Sequence, residues 1–209
     1  YRFKRLRQST KHKRDEALFV KGTETLNWLK QQEDDGVLNL RYFDESGVSL
    51  TPVVPYGWQP IGETCRIPCR RSQRFNILGF MGRKNEYFFQ TSDKSVNTET
   101  VIEAFDKFAE DYACSAFNHT EKLCVVVLDN ASMHRSKAFL DKVDDWLLKG
   151  VILHFIPPYS PELNLIEILW RKIKYEWLPL SAYPSFSVLK ESVNDVLERL
   201  GKELLITFA

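Results

Sequence analysis

From Val151 to Trp177 the chain reads VILHFIPPYSPELNLIEILWRKIKYEW. An apolar run is followed by a proline-rich stretch and then by apolar positions at helical spacing. The run predicts a strand over 151–155. Pro157, Pro158 and Pro161 forbid a helix before Asn164, because proline clashes with the preceding turn and lacks the amide donor. Beyond it Ile166, Leu169, Trp170, Ile173 and Trp177 recur at the spacing of a buried helical face. Glu167, Arg171 and Lys174 form a separate polar face. Asn164 is placed to cap this helix, with Glu167 where the acid of a capping box sits. A carboxylate is thus expected on the first turn of an anchored helix, directly after a rigid elbow.

The rest of the chain supplies partners for these elements. Residues 15–35 predict a helix with a loose apolar face of Leu18, Phe19, Val20, Leu26, Trp28 and Leu29, ended by Asp34-Asp35-Gly36. Residues 37–43 alternate with period two and predict a strand, with Asp44-Glu45-Ser46-Gly47 as a turn. A long irregular piece, 49–72, carries Pro52, Pro55, Gly57, Pro60, Gly62 and Pro68 and ends in a cluster of arginines. Loops of this length inside a domain are functional or disordered. Segments 74–80 and 85–90 predict an antiparallel pair turned at 82–84. A helix is expected over 98–112, with Val101, Phe105, Phe108, Ala109 and Tyr112 inward. KLCVVVL at 122–128 is nearly unbroken apolar sequence, as in a strand buried on both faces beside parallel neighbours. Helices follow over 135–148 and 185–200. The order predicts an α/β domain: a mixed five-stranded sheet, three antiparallel strands then two parallel, with helices on both faces.

Composition changes this picture little, and charge changes it more. The 209 residues suffice for one domain with a real core, and 44% hydrophobic with 27% charged residues is ordinary for a globular protein. No apolar run approaches the ~18 residues of a membrane span, and no signal-peptide pattern opens the chain. The reading is therefore a cytoplasmic protein. The start at Tyr1 suggests a fragment. Net charge is +1, yet residues 1–14 hold seven Lys/Arg and no acid, leaving the body at −6. A basic arm on an acidic body suits a nucleic-acid binder, and equally a solvated linker. Cys65, Cys69, Cys114 and Cys124 lack a second pair at zinc-finger spacing and read as reduced thiols. No Gly-x-x-x-x-Gly-Lys loop indicates ATP use.

Three acids carry the candidate chemistry. Asp44 and Asp129 each follow a predicted strand, at the end of an open α/β sheet where ligand sites lie. Neighbouring strands are ~5 Å apart, so two aspartates there can share a cation, with Glu167 as a third carboxylate. Hard divalent cations take oxygen ligands. Two of them ~3.5–4 Å apart serve phosphoryl transfer. Each acid also has a plainer reading: Asp44 as a turn residue, Asp129 as a turn or cap, Glu167 as a capping acid or a partner of Arg171.

The segments LRYFDESG, VVVLDNASMH and FIPPYSPELNLIEILW, with GWQPIGE and the strand at 70–79, resemble the transposases of the IS630 family in the Tc1/mariner superfamily. The resemblance runs from about Asp35 to the end. It implies an RNase H-like fold over 37–209, with 1–36 as basic arm and helical linker from an N-terminal DNA-binding region. It implies a triad of Asp44, Asp129 and Glu167, the last two separated by thirty-seven residues. By the same resemblance these hold two Mg²⁺ ions, for which Mn²⁺ can substitute. Glu45 and Glu162 are neighbouring acids that are not ligands in the family, and His134 is similar to a histidine near its site or else opens a helix. Implied too are double-stranded DNA as partner (transposon ends and a TA target), a homodimer, and a nucleoid-associated bacterial setting. Arg66, Arg70, Arg71 and Arg74, with Lys172 and Lys174, are candidates for phosphate contact, or a solvated basic surface. Trp58 is a stacking or dimer residue, or a pin for its loop. The competing functions are a non-catalytic DNA-binding derivative and a stand-alone RNase H-like nuclease.

Overall fold

The computed structural model describes residues 11–53, 60–64, 73–117 and 120–208. Five strands form one sheet: β1 (Asn39–Ser49), β2 (Arg74–Gly82), β3 (Tyr87–Ser92), β4 (Cys124–Leu128) and β5 (Val151–Phe155). Their spatial order is β3-β2-β1-β4-β5. β1 pairs antiparallel with β2, and β2 with β3, while β1–β4 and β4–β5 are parallel. This is the mixed sheet that the pattern predicts. β4 lies inside the sheet between β1 and β5, and all five of its residues are buried, which is why its sequence shows no polar alternation.

β1 departs from expectation. The turn predicted at Asp44–Gly47 is absent: the strand continues to Ser49, with Asp44 opposite Gly79 and Glu45 opposite Leu78. Turn formers lost to the long antiparallel partner, whose ladder satisfies the backbone of these four residues.

Helices cover both faces. α1 (Glu16–Asp34), α5 (Ile166–Lys172) and α6 (Phe186–Arg199) lie on one side, where Leu26, Leu29, Leu40, Tyr42, Val127, Ile166, Leu169 and Val193 share a core. α2 (Thr98–Tyr112), α3 (Lys137–Leu140) and α4 (Val143–Leu148) lie on the other, around Phe43, Phe80, Phe105, Val126, Phe139 and Trp146. α1 is joined to the sheet. Its Glu33 accepts from the Leu40 amide and pairs with Arg83, both at 3.0 Å. Of its expected apolar face only Leu26 and Leu29 are buried, while Leu18, Val20 and Trp28 are at least half exposed.

Two further corrections concern helices. The single helix expected over 135–148 is a 3₁₀ turn, Ser132–Arg135, followed by α3 and α4. Ser136 caps α3 by accepting from the Phe139 amide, and this local bond competes with a continuous helix. Asn164 does not cap α5. Its buried side chain is engaged elsewhere, and the helix starts at Ile166 without a side-chain cap. Among the described residues no helix is long and apolar enough to cross a membrane.

Candidate active site

The parallel register sets the first two acids side by side. β1 and β4 pair from Asn39–Cys124 to Tyr42–Val127. Two residues further along each strand stand Asp44 and Asp129, one strand spacing apart. Alternation gives both the same face, that of Tyr42 and Val127, toward α5. Glu167 descends from the first turn of α5. All three line one cleft of about 440 Å³, shared with Asn130, Tyr159 and Asn164.

The proline elbow forms the opposite wall and is tied down at several points. Asn164 Nδ2 donates to the Phe43 carbonyl at 2.9 Å, directly before Asp44. The Asn130 side-chain amide donates to the Ile156 carbonyl. Tyr159 holds a left-handed backbone (φ 57°), a costly conformation for an aromatic residue. From below, α1 meets Pro157 at Gly22, where a Cβ would stand 2.6 Å from the proline ring. Lys11 and Arg14 pair with Glu162 at 3.4 and 2.5 Å. The described end of the basic arm therefore lies against the elbow.

The two aspartates are held differently. Asp44 Oδ2 accepts from Trp170 Nε1 at 3.0 Å. The indole reaches it because residue 79 on β2 is glycine: a Cβ there would come within 2.8 Å of Trp170 Cη2. Burial first, and then the nearby charges of Glu45, Glu167 and Asp129, raise the Asp44 carboxyl well above its usual range. Asp129 Oδ1 accepts from the Ala131 amide at 2.9 Å and from His134 Nδ1 at 2.8 Å. His134 is wholly buried between Phe43 and Phe139, and its Nε2 lies 2.8 Å from Glu45 Oε1. Carboxylates only accept, so both ring nitrogens donate and the imidazole is cationic. Burial alone would lower this histidine, but the bonds to Asp129 and Glu45 lift it to about 10. Burial would likewise raise Asp129, yet His134 and the Ala131 amide hold it below its usual value. Glu167 is raised by burial, then eased down by Lys174 and pushed up by Asp129.

Lys174 lies half-buried in the π-type turn Ile173–Trp177 that continues α5. Burial and then Arg74 lower its ammonium, while Glu167 and Asp44 draw it up. Lys174 thus stands near Glu167 and Asp44, whereas Arg74 borders a separate cavity with Glu45 and Ser46. Lys172 instead pairs with Glu176 at 2.5 Å on the surface, away from the cleft-lining residues. Arg66, Arg70, Arg71, Trp58, Cys65 and Cys69 lie outside the described residues. Cys114 and Cys124 are free thiols, and burial pushes Cys124 up to about 12.

The donor chemistry fits a hard divalent cation. Three oxygen-only side chains share one cleft, and Asp44 stands near like charges with no cationic hydrogen-bond partner among the described residues. They are neighbours across the cleft and not a closed ligand set: among the described residues no three His, Cys, Asp or Glu stand as a metal-binding group. Asp129 is drawn toward His134 and Asp44 toward Trp170. Sequence reasoning missed Asn164 as a tie to β1 and Trp170 as a donor. Trp170 lies one turn beyond Glu167, which was a usable signal, whereas nothing in the sequence links Asn164 to Phe43.

Comparison with solved structures places this fold. It resembles the Mos1 mariner paired end complex with Mn (TM-score 0.62, 13% identity, 94% of this chain and 60% of that one). It also resembles the Mos1 strand transfer complex (0.62, 14% identity, 94% and 58%). The catalytic domain of Mos1 mariner transposase matches over 88% of this chain and 82% of its own length (0.58, 14% identity). The chain thus spans about 60% of the length of the whole proteins. At such identities the likeness is one of fold, and the fold is RNase H-like. No curated protein matches in sequence. The sequence profile of one family, described as DDE superfamily endonuclease, matches residues 39–190, which includes all three acids of the cleft and most of the chain. The chain therefore belongs to the DDE superfamily endonucleases.

Proposed function

We propose that this chain is the catalytic domain of a cut-and-paste DNA transposase of the Tc1/mariner type. Water attacks a phosphodiester at the transposon end and leaves a 3′-OH, which then attacks target DNA. The observation that carries this reading is the convergence of Asp44, Asp129 and Glu167 on one cleft. The likeness to structures described as Mos1 transposase complexes with transposon ends, with Mn and after strand transfer supports it. Asp44, Asp129 and Glu167 would hold two Mg²⁺ or Mn²⁺ ions, which when bound supply Lewis acidity toward the attacking and leaving oxygens. The protein's own part is placement. Trp170 fixes one oxygen of Asp44, His134 fixes one of Asp129, and Asn164 anchors the start of α5 that carries Glu167. Lys174, near Glu167 and Asp44, offsets phosphate charge at the acids, and Arg74 does so further along the surface. The elbow, seated on α1, shapes the opposite wall. A TA target and a dimer that pairs two ends complete the reading.

The test uses Mn²⁺, a supercoiled plasmid and a duplex oligonucleotide ending in a free 3′-OH. Mn²⁺-dependent joining of that 3′-OH to the plasmid is the expected result. No Mn²⁺ binding and no joining would overturn the reading. Cleavage of RNA–DNA hybrids without joining would point to a stand-alone nuclease instead.

A further inference from the structure

Adjacent residues on β1 send two acids to opposite faces of the sheet. Asp44 points toward α5, where Trp170 meets it. Glu45 follows the parity of Phe43 and lies opposite Leu78, both in the core on the α2 side. Its side chain is only 12% exposed, and it borders a cavity with Ser46, Arg74, Asn76 and Met133. An acid is an expensive neighbour for an aromatic core unless a partner compensates it. The partner is His134, which has no exposed surface and whose imidazole hydrogen-bonds only Glu45 and Asp129 among the described residues. Asp129 Oδ1 is saturated by His134 and the Ala131 amide, whereas Oδ2 takes no hydrogen bond from the described residues.

We propose that Glu45 is a positioning residue of the nuclease site: acting through His134 from the far face of the sheet, it fixes Oδ1 of Asp129 and leaves Oδ2 for the cation. The claim rests on the metal-dependent reading above. The imidazole has two free torsions, and a hydrogen bond at Nδ1 alone leaves its plane free to rock. The second bond, at Nε2, removes that freedom. Groups that hydrogen-bond a ligating carboxylate set its direction, and losing one typically weakens metal affinity about 10–100-fold. Glu45 acts on such a group, His134, from one bond further out.

Reach and charge can be separated at residue 45. Glu45→Gln keeps the length and an acceptor oxygen but not the charge. Glu45→Asp keeps the charge but is one methylene too short. Glu45→Ala removes both. Calorimetric Mn²⁺ binding to the intact chain is the first readout, and the Mn²⁺ concentration for half-maximal strand joining is the second. Glu45→Ala and Glu45→Asp are expected to weaken Mn²⁺ binding about tenfold, the low end of that range. Their joining rate should recover at saturating Mn²⁺, and Glu45→Gln should stay within about threefold of the unaltered protein. Affinity that follows charge, with the aspartate variant intact and the glutamine variant weak, overturns the proposal. So does unchanged binding in the alanine variant. If the unaltered protein itself binds no Mn²⁺, the metal-dependent reading fails instead, which distinguishes the two failures.

Discussion

Asp44 and Asp129 sit at the same level of two neighbouring parallel strands and face the same cleft, yet the fold treats them as opposites. Asp129 shares a cationic imidazole with Glu45 and is held ionised. Asp44 accepts from the neutral indole of Trp170, stands among other carboxylates, and is raised well above its usual range. Chain position does not explain the difference. What packs behind each acid does: a buried histidine from the loop after β4 in one case, a tryptophan from α5 in the other. One side of the site is electrostatically complete within the protein, and the other is complete only with added positive charge.

The largest effect comes from neutralising each acid in turn. On the proposed function, Asp129→Asn and Asp44→Asn are both expected to lower Mn²⁺-dependent joining by on the order of 10³-fold or more, because each would remove a charge proposed to face the metal. Their stabilities should move in opposite directions. Asp44→Asn relieves a desolvated, repelled carboxylate, and in metal-free buffer its melting temperature should rise by about 2–4 °C per ~1 kcal/mol gained. Asp129→Asn gives up a charge-assisted bond at a half-exposed site, so about 1 kcal/mol should be lost and the temperature should fall by a similar amount. Equal signs in a thermal melt would erase the contrast between the two acids.

His134→Leu attacks the same contrast from behind. It leaves Glu45 buried without its partner and should cost about 3–5 kcal/mol in denaturant unfolding. The pH dependence has a definite sign. A folded value raised from 6.5 to about 10 means that the stabilisation from His134 is fully present below pH 6.5 and is lost as pH rises through 10. Asp129 works the other way, since its depressed value gives stability that is lost as pH falls through the folded value. Asp44, being raised, favours the folded state at acid pH. His134→Leu should therefore flatten the alkaline limb of a stability–pH curve; an unchanged limb would show that the imidazole is not the group responsible.

Gly79→Ala tests the Asp44 side. The added Cβ meets Trp170 at 2.8 Å and Phe89 at 3.1 Å. Overpacking should cost about 1–3 kcal/mol and move the indole off Asp44, which tryptophan fluorescence and calorimetry would both register. The smallest effect is expected from Lys174→Ala. DNA binding should weaken across sequences, with the slope of log K against log salt reduced by about one. An unchanged slope would remove Lys174 from the DNA path.

Much of this site was legible in the chain itself. Apolar runs located β4 and β5, period two located the first half of β1, and helical spacing located α2, α5 and α6, because burial acts on each side chain wherever its neighbours come from. The prolines announced the elbow for an equally local reason. The reading failed where partners from elsewhere decided. Asp44–Gly47 carries turn formers, yet β2 holds it extended. Asn164 has the side chain of a cap, yet donates to β1 across 121 residues. Glu45 looked like a bystander, and its histidine comes from 89 residues away.

The sequence alone thus indicated most of the strands and helices, and it singled out Asp44, Asp129 and Glu167 as candidates. Only the tertiary structure decided that they line one cleft, that one aspartate is paired and the other is not, and that α1 supports the elbow. Hydrophobic periodicity is a property of each segment, so it can be read along the chain. Electrostatic state depends on which distant groups the packing brings within a few ångströms, and no local pattern encodes that.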